Sequence, residues 1–308
     1  MRKSLKIILC NIFIFVFLFF ILDFVAYYVD KSVCNTFNHP GLKDYIENLT
    51  RDTSQKRTYE ENVLGKNFCY RPVVNPSSSK KPILLFGCSF AWGHKLPLDK
   101  NLAGVLGSYT GRPIYNRASF GWSVQHMLYQ LQSEEFYRII PEPEYVIYTF
   151  IDAHISRMWI PVGSYIKNYY GVYYRKNNDH LELKKRTVWE RFALVFVVKS
   201  WLYSCNFLNM YSDEVKKEFL KMHFIESQKE IKKHWKNTKF VILEYENERT
   251  FDSIKNDLTK EGIVIVDKNE LINFEREDLR YCISEKDSHP NEKAWATVVP
   301  LLIKQLGL

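Results

Sequence analysis

The strongest constraint on the fold is an alternation of short apolar runs with stretches of helical periodicity, which begins near residue 82 and continues to the C-terminus. The apolar runs predict strands at residues 83–87, 113–118, 145–150, 240–244 and 263–267. Helical spacing predicts helices at residues 98–109, 124–137 and 251–260, and a final helix that Asn291 caps and that ends near Leu306. Strands that alternate with helices in this way predict an α/β fold with an open parallel sheet and helices on both faces.

A serine follows the first predicted strand, inside a turn with glycine at both ends. Residues 87–93 read Gly-Cys-Ser-Phe-Ala-Trp-Gly, and residues 287–291 read Asp-Ser-His-Pro-Asn. A serine hydroxyl is a poor nucleophile at neutral pH, so it needs a base and a group that orients the base. Taken alone, Gly-x-Ser is more often a buried serine that closes an ordinary strand-to-helix turn. The distant Asp-x-His instead favours a triad of Ser89, His289 and Asp287, with Glu285 as the alternative carboxylate.

Three candidate residues follow three successive predicted strands. Ser89 comes after the first strand, Gly121 after the second and His154 after the third. In an open parallel sheet, sites form at the carboxyl ends of the strands, and these ends lie at one edge. The sequence therefore predicts that the chemistry is concentrated at that edge.

These motifs resemble those of the SGNH, or GDSL-type, hydrolases. The serine block is similar to residues 87–93, the second block to residues 116–121 (Asn-Arg-Ala-Ser-Phe-Gly) and the last block to residues 287–291. The resemblance covers about residues 82–158 and 238–308, and it implies a flavodoxin-like three-layer sandwich with a central parallel sheet.

The resemblance also implies the roles of the site residues. Ser89 would be the nucleophile, His289 the base and Asp287 the carboxylate that orients the base. The backbone N–H groups of Ser89 and Gly121 would stabilise the oxyanion. No metal, nucleotide or redox motif accompanies these residues, so the sequence predicts no cofactor and no metal site.

One block departs from the family pattern. After the third predicted strand the chain has Ala153 and His154 where the family usually has an asparagine that donates to the oxyanion. His154 is the candidate for a third oxyanion donor, and a structural histidine with satisfied contacts is the alternative. Loss of one such donor lowers a rate by about 10²- to 10³-fold. An enzyme without it is expected to be slow rather than inactive.

Two further side chains are candidates for substrate contact. Arg157 follows His154 in the same segment, where it would reach an acidic group on a substrate or pair with a carboxylate such as Asp152. Trp92 lies inside the serine block. For each aromatic side chain of the chain, packing against the domain is the simpler alternative.

The N-terminal region predicts a membrane anchor. Basic residues in positions 1–6 precede an apolar stretch at residues 7–29, which at about 1.5 Å per residue is long enough to cross a bilayer core of roughly 30 Å. A cleaved signal peptide shares this charge pattern, but no small-x-small cleavage site follows the apolar run, so an uncleaved single-pass signal anchor is favoured. The basic flank predicts a cytoplasmic N-terminus and a catalytic domain in the periplasm or at the cell surface.

The rest of the chain divides by composition. Residues 30–81 are predicted to be a linker and lead-in segment, and residues 82–308 the hydrolase domain with an aromatic-rich insertion at about residues 158–212. Within the insertion, residues 171–176 and 180–185 predict a hairpin. Because the insertion leaves from the predicted active edge, it either covers the site or packs against the domain.

Cysteine and charge patterns exclude several classes of protein. The spacing of the 6 cysteines fits neither a disulfide-dense scaffold nor a zinc site, although Cys34 and Cys69 are a candidate pair. Much of the formal net charge of +8 lies on lysines of residues 216–236, which alternate with apolar residues as on one solvated helix face. A nucleic-acid partner is not expected, because no binding motif supports one.

The expected function combines the anchor with the triad. The sequence predicts a membrane-anchored, extracytoplasmic serine esterase that removes ester-linked acyl groups, O-acetyl above all, from cell-envelope glycans. Its expected partners are an acylated cell-surface glycan or another envelope ester, the membrane, and a membrane-bound acyltransferase. An O-acyltransferase that uses the same serine and an inactive glycan-binding or scaffold protein on the hydrolase fold are the alternatives.

Overall fold

The structure of the chain, a computed structural model, describes residues 17–18, 58–61, 67–159, 173–178, 180–184, 213–246, 251–272 and 278–308. All of these except residues 17–18 belong to one compact unit, made of Asp52–Lys185 and Asp213–Leu308. A second unit consists of Met1–Arg51 and Arg186–Ser212, and residues 17–18, which are helical, are its described part.

The described elements alternate between strands and helices along the chain. The strands are β1 (Thr58–Glu61), β2 (Asn67–Tyr70), β3 (Ile83–Phe86), β4 (Ile114–Asn116), β5 (Tyr145–Phe150), β6 (Tyr173–Asn177), β7 (His180–Lys184), β8 (Lys239–Glu244), β9 (Val264–Asp267), β10 (Cys282–Ser284) and β11 (Asp287–Pro290). The helices are α1 (Ser89–Trp92), α2 (Leu102–Thr110), α3 (Val124–Leu131), α4 (Glu134–Ile139), α5 (Ala153–Trp159), α6 (Asp213–His234), α7 (Asp252–Lys260), α8 (Lys268–Leu271) and α9 (Glu292–Leu306).

A parallel sheet of 5 strands in the order β4-β3-β5-β8-β9 forms the centre of the compact unit. This order is the flavodoxin-like arrangement. The first strand of this sheet along the chain, β3, lies between β4 and β5, and the strand order reverses beside it. Every residue of β3 and of β5 is buried, as expected for strands that helices cover on both faces. The five strands predicted from the apolar runs and the α/β fold class are therefore confirmed.

The two faces of the sheet support separate apolar layers. Leu84 and Phe86 of β3 pack with residues of α3, α6 and α7, which we call the α3/α6 layer. Ile83 and Leu85 pack with residues of α1, α2 and α9, the α1/α9 layer. Successive side chains of a strand point to opposite faces, so each strand contributes to both layers. The result is a three-layer sandwich.

Two predicted helices have different boundaries in the structure. The helix predicted from residue 98 begins at Leu102, because Asn101 adopts an extended conformation and its side chain accepts a hydrogen bond from the Gly104 N–H. The single helix predicted at residues 124–137 is two helices, α3 and α4, because Ser133 is extended and starts a new helix with acidic residues in its first turn.

The structure describes only some residues of the predicted insertion and of the N-terminal region. The predicted hairpin is present as β6 and β7, which pair antiparallel from Tyr173↔Lys184 to Asn177↔His180. Apart from residues 158–159 and 178, the rest of the predicted insertion lies outside the described residues, as does Cys34. The predicted membrane segment, residues 7–29, also lies outside them apart from residues 17–18. Among the helices that the structure describes, none has both the length and the apolar character needed to cross a bilayer.

Candidate active site

The structure brings Ser89 and His289, which are 200 positions apart in the sequence, into direct contact. Ser89 Oγ lies 2.7 Å from His289 Nε2, and His289 Nδ1 lies 2.6 Å from Asp287 Oδ1. With Nδ1–H donating to the carboxylate, Nε2 is free to accept the serine proton. The arrangement is that of a nucleophile, a base and an orienting group. The three residues predicted as a triad are therefore adjacent, and their catalytic roles remain a prediction.

The turn that presents Ser89 depends on two glycines. Gly87 has φ 144°, and a Cβ at this position would lie 3.0 Å from the Thr149 carbonyl oxygen in the neighbouring strand. Gly93 has φ 82° and ends α1, where a Cβ would lie 2.4 Å from Asn101 Cβ. Residues other than glycine rarely adopt such backbone angles, and their Cβ atoms would not fit in these spaces. The glycines allow the chain to leave β3 and start α1 at once, with Ser89 as its first residue.

A hairpin and a helix cap position His289. Strands β10 and β11 pair antiparallel, and His289 lies in β11 just before α9. Asn291 caps α9 by accepting from the Ala294 N–H, and its Nδ2 donates to the Cys282 carbonyl oxygen of β10. One asparagine therefore joins the hairpin to the helix, which fixes the strand that carries the base. The predicted capping role of Asn291 is confirmed.

Asp287 is held in its ionised form. Partial burial raises the pKa of a carboxyl group, but hydrogen bonds from His289 and from Lys95 outweigh this effect and lower the pKa of Asp287 below its ordinary value of 3.8. Oδ1 faces the imidazole, and Oδ2 lies 2.7 Å from Lys95 Nζ. Glu285, the alternative carboxylate, is exposed in the hairpin turn. The structure thus places Asp287, and not Glu285, against the His289 ring.

The loop after β4 lies against the serine turn. Asn116 Nδ2 donates to the Ala91 carbonyl oxygen of α1, and the Ser119 N–H donates to the Gly87 carbonyl oxygen over 3.4 Å. Gly121, the predicted oxyanion donor of this loop, is half-buried, and its neighbour Phe120 contacts the His94 ring at a centroid distance of 5.5 Å. The Ser89 N–H belongs to the first turn of α1, where backbone N–H groups have no acceptor within the helix. The loop and the turn therefore lie against each other, and the oxyanion roles of the Ser89 and Gly121 N–H groups remain predictions.

His154, the predicted third oxyanion donor, is enclosed in the core. Its exposed fraction is 0%, and its ring contacts Tyr148 and Phe150, which belong to the α3/α6 layer. Nδ1 lies 2.9 Å from the Tyr148 hydroxyl and accepts from the Ile151 N–H over 3.4 Å, so the ring proton resides on Nε2. Burial, and then the nearby Arg157, holds the pKa of His154 well below its ordinary value.

This position corrects the expectation for His154. An oxyanion donor must reach a substrate atom, and the N–H of His154 is shielded from solvent on all sides. Within the described residues its Nε2 also has no hydrogen-bond acceptor. The structure supports the alternative of a structural histidine, although one with a buried N–H that is left unsatisfied.

Trp92 and Arg157, the predicted substrate contacts, both contact the loop after β4. Trp92 is 0% exposed, with the Arg71 guanidinium 3.9 Å from its ring centroid and the Phe120 ring at 4.4 Å. Arg157 Nη1 donates to the Trp122 carbonyl oxygen, directly after Gly121, over 3.4 Å. Because the Trp92 side chain is enclosed, the structure corrects the expectation that Trp92 contacts substrate and supports the alternative of packing, whereas the substrate role of Arg157 remains a prediction.

Sequence analysis missed three residues beside the triad. Lys95 pairs with Asp287, and the His94 ring lies 4.6 Å from the His289 ring. Arg71, in the predicted lead-in segment, is buried and donates to the carbonyl oxygens of Trp92, Gly93 and Leu96. The only available sequence signal was that His94 and Lys95 directly follow the serine block.

Three side chains at the site have the atoms to bind a cation. His94, Asp287 and His289 each offer one ligand atom, and these atoms lie within 4.8 Å of one another, which no other such group in the described part of the chain matches. In this structure Asp287 already contacts Lys95, and both ring nitrogens of His289 are engaged by Ser89 and Asp287. The contacts of His289 in this structure therefore suit the transfer of a proton from the Ser89 hydroxyl to the ring.

Comparison with known proteins gives structural likenesses only. No family model matches the chain, and no curated protein matches it. A putative lipolytic protein of the G-D-S-L family from Desulfitobacterium hafniense is 9% identical over 73% of this chain and 99% of its own, with a TM-score of 0.45. An acetyl xylan esterase from Butyrivibrio proteoclasticus is 12% identical over 79% and 68%, with a TM-score of 0.47. An extracellular lipase from Streptomyces rimosus is 10% identical over 73% and 99%, with a TM-score of 0.44. At these identities and TM-scores the likenesses do not establish the family or the activity of the chain.

Proposed function

We propose that the chain is a serine esterase that cleaves ester-linked acyl groups with Ser89, His289 and Asp287. The observation that carries this proposal is the pair of short contacts through one imidazole, 2.7 Å to the serine hydroxyl and 2.6 Å to the carboxylate. A structural serine in an ordinary turn has no need of a histidine with an ionised partner. Activation of a nucleophile requires both.

The proposed reaction proceeds in two steps through an acyl-enzyme. Ser89 Oγ attacks the ester carbonyl carbon while His289 Nε2 takes the hydroxyl proton. The imidazolium, held by Asp287, then gives this proton to the leaving alcohol as the ester C–O bond breaks. Water repeats the sequence on the acyl-enzyme, which releases the carboxylic acid and restores the serine.

The oxyanion would be stabilised by backbone groups. In this proposal the N–H groups of Ser89 and Gly121 donate to it, with no contribution from His154. Because each such donor contributes about 10²- to 10³-fold to the rate, an enzyme with two donors is expected to turn over slowly. Low turnover with an intact triad is therefore part of the proposal.

The substrate and location follow from the N-terminal sequence and not from the site. The predicted signal anchor at residues 7–29 would tether the domain outside the cytoplasmic membrane. A tethered esterase in that compartment would meet O-acyl groups on envelope glycans. We therefore propose O-acetylated cell-surface polysaccharide or peptidoglycan as the substrate class, and a membrane-bound acyltransferase as a protein partner.

The test is hydrolysis of acetylated model esters and acetylated glycans by the purified full-length chain. Ser89→Ala should reduce kcat/KM by about 10⁴-fold or more, because the acyl-enzyme can no longer form. The matched control is Ser108→Ala, since Ser108 is an exposed serine in α2. Equal turnover by the Ser89→Ala and Ser108→Ala variants would remove Ser89 from the mechanism.

A second candidate is supported by the enclosed position of His154. If the missing donor has abolished catalysis, the chain would be a glycan-binding or scaffold protein on the hydrolase fold. Such a protein should neither turn over esters nor react with a serine-directed phosphonate. An O-acyltransferase would instead label, and would form acylated product only when a glycan acceptor is added.

A further inference from the structure

The turn after the serine block places the ammonium group of Lys95 beside the Asp287 carboxylate. Lys95 Nζ lies 2.7 Å from Asp287 Oδ2, the oxygen that does not face His289. The other oxygen, Oδ1, accepts from His289 Nδ1 at 2.6 Å and from the His289 backbone N–H at 3.2 Å. The carboxylate therefore bridges an ammonium group and the imidazole that is to become cationic.

Lys95 is held in this position by its backbone. Its φ of 58° is in the left-handed region, which a lysine rarely adopts and which persists where surrounding contacts fix the chain. The contacts are provided by Arg71, whose guanidinium donates to the carbonyl oxygens of Gly93 and Leu96 on either side of Lys95 at 2.7 Å. Arg71 thus fixes the backbone of the turn, and the Lys95 side chain extends from this turn to Asp287.

No other described group replaces this cation. His94 Nε2 is 3.7 Å from Asp287 Oδ2, but burial, and then the neighbouring His289 ring, lowers the pKa of His94 to about 4, so His94 is neutral at neutral pH. Arg71 is engaged with backbone carbonyls below the turn. In α9, Lys293 lies over the Tyr281 ring, and in β10 Cys282 is buried. Helix α1, which also packs on β11, has no ionisable side chain beyond Ser89, and the hairpin turn before Asp287 carries the exposed Glu285 and Lys286, whose charges are opposite.

We propose that Lys95 is a positioning residue that fixes Asp287 and sets the pH range in which His289 acts as a base. This inference rests on the proposed esterase function. A cation on Oδ2 withdraws negative charge from the carboxylate, which then stabilises the imidazolium form of His289 less strongly. Without Lys95 the carboxylate would therefore stabilise the imidazolium more strongly, and the ring would be protonated more readily.

The experiment compares Lys95→Met with Lys95→Arg and with the matched control Lys100→Met. Lys100 is an exposed lysine on the same loop and has no ion pair within the described part of the chain. The first readout is the acid limb of kcat/KM against pH for p-nitrophenyl acetate. Lys95→Met should move its midpoint upward by about half a pH unit, because one partly exposed cation is removed. Lys95→Arg and Lys100→Met should retain the wild-type midpoint.

A second readout separates this inference from the proposed function. The His289 ring, assigned in ¹³C-histidine spectra by its loss in His289→Gln, can be titrated by NMR whether or not the protein hydrolyses esters. An upward shift of the His289 midpoint in Lys95→Met alone would support the proposal. Coincident midpoints in wild type and Lys95→Met, with or without a uniform loss of activity, would overturn it. Absence of turnover in wild type with a shifted NMR midpoint would count against the esterase and not against Lys95.

Discussion

Two histidines at the same edge of the sheet differ in what their ring nitrogens contact. His289 is partly exposed, with a hydroxyl on one nitrogen and an ionised carboxylate on the other. His154 is fully enclosed, with a phenol hydroxyl and a backbone N–H on one nitrogen and no acceptor among the described residues for the other. A histidine that transfers protons needs one nitrogen fixed and the other open to the reacting group. Only His289 meets both conditions.

The difference arises from where each residue lies relative to the central sheet. His154 lies in the first turn of α5, shortly after β5, and its ring packs against Tyr148 and Phe150 of the α3/α6 layer. His289 comes from a hairpin outside the sheet and packs on Phe90 of the serine turn, with ring centroids 5.0 Å apart. A position just after a strand of the central sheet therefore does not decide which side chains reach the site.

The largest effect that this comparison predicts is at Asp287. Asp287→Asn should lower kcat/KM by about 10³- to 10⁴-fold, because an amide no longer stabilises the imidazolium and favours the wrong tautomer. The matched control is Glu285→Gln, in the same hairpin but exposed, which should retain activity within about threefold. Steady-state kinetics on a model acetyl ester measures both. Loss of activity in Glu285→Gln with none in Asp287→Asn would reverse the assignment.

A smaller effect, on a different quantity, is predicted at His154. His154→Ala should reduce the free energy of unfolding by about 2 to 4 kcal/mol, because it leaves a cavity and removes the partner of the Tyr148 hydroxyl. Urea denaturation measures this loss, with the exposed His180→Ala as control. The activity of the folded fraction should stay within about threefold of wild type. A fall of about 10²- to 10³-fold in kcat at unchanged stability would show that His154 reaches the oxyanion after all.

The last predicted effect is a pH dependence of stability that originates away from the triad. Burial lowers the pKa of His126 to about 3 and of His223 to about 4, and it also lowers the pKa of His154. An unfolded histidine binds a proton near pH 6.5, so these neutral residues contribute stability above that pH and lose it as the pH falls toward their folded values. Asp287, whose pKa is lowered from 3.8, contributes at all pH values above 3.8 and loses its contribution only below.

We therefore expect the Tm to fall as the pH decreases from about 6.5 to about 4. His223→Gln should flatten this slope, whereas the exposed His180→Gln should not change it. Differential scanning calorimetry at several pH values is the measurement. A Tm that is constant across this window would mean that the buried histidines become protonated without unfolding.

The parts of the molecule that sequence could predict are those encoded locally. Each central strand is an apolar run bounded by a turn, and Ser89 with Asp287 and His289 belongs to short motifs. Lys95 and Arg71 could not be found in this way. Their partners lie far along the chain or are backbone carbonyls, so only the folded arrangement brings them together. The position of His154 differs from the expectation because sequence gives the position of a residue after a strand but not the direction in which its side chain points.

The central claim is that His289 activates Ser89, and the rate of covalent labelling by a fluorophosphonate tests it most directly. Peptide mapping of the full-length chain should find one adduct, on Ser89, and His289→Gln should slow its formation by about 10³-fold or more. An adduct on a different serine, no adduct, or equal labelling rates in wild type and His289→Gln would contradict the account.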